Sequence, residues 1–192
     1  MKKGLMIGLM GAMTLVACNQ EKEKVEDQFN YTVEQFADLQ LLRFKVHGFE
    51  ELPLKQKELV YYLSEAALQG RDILFDQNGK YNLIIRKMLE VVYTDYQGDR
   101  SDANFKNFET YLKRVWFSNG IHHHYAADKF VPGFTPEFFK SALESVDASK
   151  LPLMEGETLD ALCEEVFPVI FDAKIMAKRV NQADGEDLVL TS

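Results

Sequence analysis

Cysteine is nearly missing from this chain, with only Cys18 and Cys163 among 192 residues. With Cys18 assigned to lipid, as argued below, no disulfide can form within the chain. Basic charge is also in deficit: 22 Lys and Arg against 30 Asp and Glu leave a formal charge of −8. Such a surface repels phosphate backbones, so nucleic acid is not an expected partner. Long apolar runs are missing too. The most apolar stretch, Leu5 to Val16, is too short to span a hydrocarbon layer of roughly 30 Å as a helix. The familiar catalytic signatures do not occur. The four histidines are His47 and the run His122-His123-His124, which leaves no His-Glu-x-x-His, and there is no phosphate-cradling loop and no Gly-x-Ser-x-Gly elbow.

What is present begins with a leader. Lys2 and Lys3 precede the apolar stretch, and Leu15-Val16-Ala17-Cys18 closes it. A small residue followed by Cys is the cleavage context of a bacterial lipoprotein signal, which would leave Cys18 to carry acyl chains. The plainer alternative is an ordinary secretory signal with a chance Cys. Both predict export, and the lipoprotein reading predicts a cell-envelope protein anchored to a membrane through Cys18. Removing residues 1–17 takes the formal charge to −10 and leaves 175 residues, enough for one domain with its own core. Residues 18–29 then form the acylated Cys and a polar tether, since Asn19 to Gln28 carry almost no apolar side chains.

From residue 30 onward the pattern predicts a mainly α fold. Thr32 with Gln35 resembles a capping box, and Phe36, Leu39, Leu42 and Phe44 supply an apolar side. From Leu54 to Phe75, the residues Leu59, Tyr62, Leu63, Ala66, Ala67, Ile73 and Leu74 fall on one stripe. Gly70 interrupts that stripe, as if a neighbouring helix crossed closely there. Leu83, Ile84, Met88, Val91 and Val92 continue the period beyond Asn78-Gly79. Phe105, Phe108, Leu112, Val115 and Trp116 make the clearest stripe in the chain. Thr135-Pro136-Glu137 and Thr158 with Asp160 open two more helices. The second of these carries Cys163 on its apolar side, as a small core residue, and ends before Pro168. A last short helix is predicted from Ala173 to Val180. Gly185 to Ser192 then changes to a β-branched apolar run, a truncated strand at the C-terminus. It would pair either with something outside this chain or with the rest of a longer protein, and the second is favoured.

The polar and aromatic loop at 119–134 is the place to expect ligand contact. Its His122 and His124 would share a side if extended, and imidazole binds Zn, Cu or Ni. No acid lies closer than Asp128, so a polar loop in which imidazoles hydrogen-bond backbone or ligand outweighs a metal site. Asn119-Gly120 reads equally well as a left-handed helix cap. Glu164 and Glu165 are adjacent, diverge by about 100° on a helix, and read as a solvated edge.

The same loop, Asn119-Gly120-Ile121-His122-His123-His124-Tyr125-Ala126-Ala127-Asp128-Lys129-Phe130-Val131-Pro132, resembles the N-terminal lobe of the dipeptidyl peptidase III family. Gly70-Arg71-Asp72-Ile73, Asp76 to Asn82, Lys113 to Ser118 and Asn181 to Asp187 extend the resemblance, and Leu54 to Gln69 matches in general pattern. It implies that residues 30–192 are a multi-helix N-terminal lobe portion of a two-lobed, Bacteroides-like zinc metallopeptidase. Such enzymes release dipeptides from the free amino end of short peptides. In the family, zinc is held by a His-Glu-x-x-x-His motif and a later glutamate in the other lobe, and neither motif occurs in this sequence. The resemblance therefore implies no cofactor, no metal ligand and no catalytic residue here, with Zn only in the complete enzyme. It does carry over one aromatic that lines the pocket for the substrate's first residues, matched by Tyr125. Asn119, Gly120 and His124 are its neighbours in the same wall. The chain alone is expected to be inactive. The alternatives are a stand-alone envelope lipoprotein binding peptides or a partner through the loop, and a small metalloprotein using the three histidines.

Overall fold

A computed structural model describes residues 29–179. The leader, Cys18, the tether as far as Gln28 and the C-terminal strand expected over 185–192 lie outside the described residues. The fold is mainly helical: a two-stranded hairpin, β1 (Thr32–Phe36) and β2 (Leu39–Leu42), is followed by α1 (Leu54–Gln69), α2 (Arg71–Asn78), α3 (Asn82–Asp95), α4 (Ala103–Ser118), α5 (Pro136–Glu144) and α6 (Leu159–Phe171). Short 3₁₀ turns occupy Phe49–Glu51 and Ala148–Lys150.

The core lies among α3, α4, α5 and α6. Ile85, Met88, Leu89 and Val92 of α3 meet Phe105, Phe108, Leu112 and Val115 of α4, with Phe139 and Leu143 of α5 and Leu162, Val166 and Ile170 of α6 closing it. Each such side chain contributes roughly 1.5–3 kcal/mol on leaving water. Aromatic edges tie the layers together: Phe134 meets Phe108, Tyr111, Phe139 and Phe171 at 5.5–5.6 Å between centroids. Cys163 is buried within this core, and burial pushes its thiol above the ordinary value.

Helix ends follow local chemistry. The side chains of Asp102, Thr135 and Thr158 accept from the backbone N–H groups of Asn104, Phe138 and Ala161, satisfying first-turn donors. Asn119 takes the left-handed conformation after α4, and the Gly120 N–H donates to the Val115 carbonyl at 3.0 Å, a Schellman closure.

Five expectations are corrected. The segment 32–44 is a hairpin, not a helix. Glu34, Phe36, Leu39 and Leu41 are its half-buried residues, which is a period of two. The Thr32 N–H is taken by Asn30 Oδ1, so no capping box forms. Ion pairs fasten the hairpin to α4: Lys113 holds Glu34 at 2.5 Å, and Arg114 holds Asp38, in the turn, at 2.6 Å. The Leu54–Phe75 stripe is not a core face, because α1 contains no buried residue and Ile73 and Leu74 are exposed; only Phe75 is buried. No element crosses at Gly70, whose nearest neighbour is the Ala67 carbonyl of the turn it ends. The helix bearing Cys163 does not stop before Pro168 but runs through it to Phe171, with the Asp172 N–H returning to the Pro168 carbonyl. Finally, Ala173 to Met176 is a turn, not the start of a helix, and Lys178 pairs with Asp128 as an isolated β-bridge.

Candidate functional site

The loop after α4 is held at its base by two asparagines from α2 and α3. Asn82 is 2% exposed, and its Oδ1 accepts from the Ile121 N–H at 3.1 Å. Asn78 Nδ2 donates to the Asn119 carbonyl at 3.1 Å. Gly120 crosses directly over Asn82 at φ 152°, and a Cβ there would sit 2.4 Å from Asn82 Nδ2. Only glycine fits so close an approach. The chain then returns on itself: the His123 N–H donates to the Asp128 carbonyl at 2.7 Å, and the Phe130 N–H to the Ile121 carbonyl at 2.8 Å.

The outgoing arm is braced by the segment after α6. The Lys129 N–H donates to Ala177 at 3.0 Å, and the Arg179 N–H to Ala127 at 2.9 Å. Lys129 Nζ donates to the carbonyls of Val169 and Ile175 at 2.8 Å each and to that of Asp172. It thereby caps the negative end of α6. Burial pulls the Lys129 ammonium below its usual value.

The three histidines have three separate tasks. His122 is buried, and its Nε2 lies 2.7 Å from the Met176 carbonyl, which makes that nitrogen the donor; Nδ1 is buried without a partner. Burial holds this imidazole below its ordinary pKa, against the opposing effect of the Met176 bond. His123 Nδ1 accepts from the backbone of Tyr125 and Ala126 at 3.2 and 3.0 Å, pinning the loop tip. His124 stacks on His123 at 4.5 Å, meets Phe117 edge-on at 5.0 Å, and has Ser118 Oγ 3.4 Å from its Nδ1. Desolvation first, and His123 second, lower its pKa.

Of the residues expected to form one wall, His124 and Tyr125 come together, with ring centroids 4.4 Å apart. Tyr125 is 87% exposed at the tip. Asn119 and Gly120 instead sit at the loop's base with Asn82, where they fix its exit direction. Asn78, Asn82 and Lys129 escaped the sequence reading. The spacing Asn78-Gly79-x-x-Asn82 ahead of an apolar helix was the available signal.

This donor set does not fit zinc. His122 Nε2 and His123 Nδ1 are engaged with backbone groups, and among the described residues no three His, Cys, Asp or Glu side chains group as metal ligands. Ser118 and His124 do not make a nucleophile pair, since the hydroxyl is buried and 3.4 Å is long for proton transfer. What the loop offers is surface. A cleft of about 310 Å³ runs along its outgoing arm, lined by Asn107, Thr110, Tyr111, Arg114, Phe130 and Val131. A second cavity, of about 430 Å³, lies at its base beside Asn119. Arg114 sits 5.4 Å over the Phe130 ring, and Val131 is exposed.

The chain matches no known protein-family model and no curated protein.

Proposed function

We propose that this chain supplies one wall of a peptide-binding cleft, as the N-terminal lobe portion of a dipeptidyl peptidase III-like zinc peptidase of the cell envelope. The observation that carries the reading is an exposed Tyr125 on a loop whose base, tip and outgoing arm are each fixed by hydrogen bonds. An exposed aromatic on a backbone already held in place leaves little loop entropy to lose on binding. Tyr125 and His124 would line the pocket for a peptide's first residues. Short peptides are the partners, and a lipidated Cys18 is the proposed membrane anchor. The face of α1 supports a lobe that packs against further polypeptide, since Leu59, Tyr62 and Leu63 are all exposed.

In the complete enzyme, zinc would polarise the scissile carbonyl and activate water. The zinc motifs of that family do not occur in this sequence, so in this reading the chain by itself contributes binding only. The purified chain, incubated with zinc and a dipeptidyl arylamide, is expected to release no arylamine. Sustained turnover that follows the chain through purification would overturn this reading.

A second reading, a stand-alone envelope lipoprotein binding peptides through the same loop, is favoured by one observation. The buried core runs from Phe75 to Ile170 and closes without α1. It differs in requiring a monomer that does not self-associate through α1.

A further inference from the structure

The cavity at the base of the loop carries an unused cation. It lies between α2, α3 and the end of α4 and is lined by Arg71, Phe75, Arg86, Glu90, Trp116 and Asn119. The other charges of the lining already have ion-pair partners. Arg86 donates to Asp72 at 2.6 Å and lies 3.3 Å from Glu90. Glu90 also accepts from Trp116 Nε1 at 2.8 Å. The Arg86 guanidinium lies 4.6 Å over the Phe75 ring, which fixes its plane. The Arg71 side chain makes no ion pair or hydrogen bond with any of the described residues, although it lines the same cavity.

We infer that this cavity is a carboxylate-binding subsite in which Arg71 pairs with an acidic group of a bound peptide, while Phe75 and Trp116 pack on its apolar carbons. The inference rests on the peptide-binding reading above and names the substrate class that reading leaves open. Three observations select the ligand. Arg86 is shared between Asp72 and Glu90, which leaves Arg71 as the one cation of the lining without a carboxylate, matched by a single carboxylate group. A phosphate dianion would face the Glu90 carboxylate across the same space. A volume of about 430 Å³ is in the range of small-ligand sites and has room for a side chain and its neighbouring peptide units. A guanidinium binds a carboxylate in a bidentate fork, which fixes direction as well as charge. Asn119 joins this cavity to the loop, so a peptide lying along the loop base can present its acidic residue to Arg71.

Trp116 is the only tryptophan in the chain and lines both this cavity and one against the hairpin, so its fluorescence responds to binding and the Arg71 variant assigns the response to this cavity. The full chain is titrated with Ala-Ala-Glu-Ala-amide, with Ala-Ala-Gln-Ala-amide and with sodium succinate, for the wild type, Arg71→Gln and Tyr125→Ala. The Glu peptide is expected to bind about tenfold more tightly than the Gln peptide, the scale of one charge-assisted hydrogen bond. Arg71→Gln should erase that preference and leave the affinity for the Gln peptide unchanged, since Arg71 holds nothing else in place. Tyr125→Ala should weaken both peptides equally. Equal binding of the two peptides, or a preference that survives Arg71→Gln, overturns the subsite and leaves the peptide reading standing. Succinate binding that depends on Arg71, with no binding of either peptide, overturns the peptide reading and with it the assignment of this subsite to a peptide's acidic group. No response to any ligand overturns both.

Discussion

Asn82 is the residue on which the loop's position turns. It sits in the first turn of α3, is buried, and spends its carbonyl oxygen on the Ile121 N–H while Gly120 passes over it. Asn82→Ala strands that buried N–H and is expected to cost about 1–3 kcal/mol, read as a lower urea midpoint at an unchanged m value. His122 makes a second residue-scale prediction. Burial holds its imidazole below the ordinary value of 6.5. As pH falls through that value, the unfolded chain takes up a proton that the folded chain refuses, so stability declines and then levels once the folded value is passed. His124 shifts in the same direction and adds to the slope, whereas the lowered carboxylates of Asp72 and Asp95 act only at more acidic pH. Urea midpoints of wild type and His122→Gln at pH 7.5 and 5.5 should show the shallower pH dependence in the variant. An equal slope would remove His122 from this account.

Among the elements, α1 and α4 look alike in sequence and behave oppositely. Both carry apolar residues at helical spacing, yet α4 buries Phe105, Phe108, Leu112 and Val115 while α1 buries nothing. Phe108→Ala is expected to cost about 3–5 kcal/mol, and Leu59→Ala less than about 0.5 kcal/mol, by urea or thermal denaturation. Periodicity identified the inner face of α4, and cap residues the starts at Thr135 and Thr158, because packing there agrees with local propensity. It failed where partners far along the chain decide. The segment of Glu34 and Asp38 reads as helix locally, yet it is a hairpin that packs its alternate residues towards α4 and is tied there by Lys113 and Arg114, some 79 and 76 positions on. Trp116 likewise sits on the α4 stripe, but is 37% exposed because Glu90 of α3 draws its N–H outward. The turn after α6 was hidden for the same reason: Lys129 gathers carbonyls that a continued helix would need for itself.

At the scale of the whole molecule, the helical core serves as a frame for one loop, with a cavity at its base and a cleft along its outgoing arm. The place of that loop was legible from its Asn-Gly, imidazole and aromatic residues. Its shape was not, because His122 is held by a carbonyl of the segment after α6, while His123 binds backbone N–H groups that come within reach only once the loop has turned back on itself. The exposed α1 face and the acidic formal charge both bear on assembly, and among the described residues no helix is long and apolar enough to cross a membrane. The central claim is that this frame presents Tyr125 to a peptide's amino-terminal end. Isothermal titration of the full chain with a tetrapeptide, free or acetylated at its amino end, tests it most directly. The account predicts one-to-one binding that favours the free amine and weakens by about tenfold or more in Tyr125→Ala, at unchanged thermal stability. No binding, or an affinity indifferent to both acetylation and Tyr125→Ala, would contradict it.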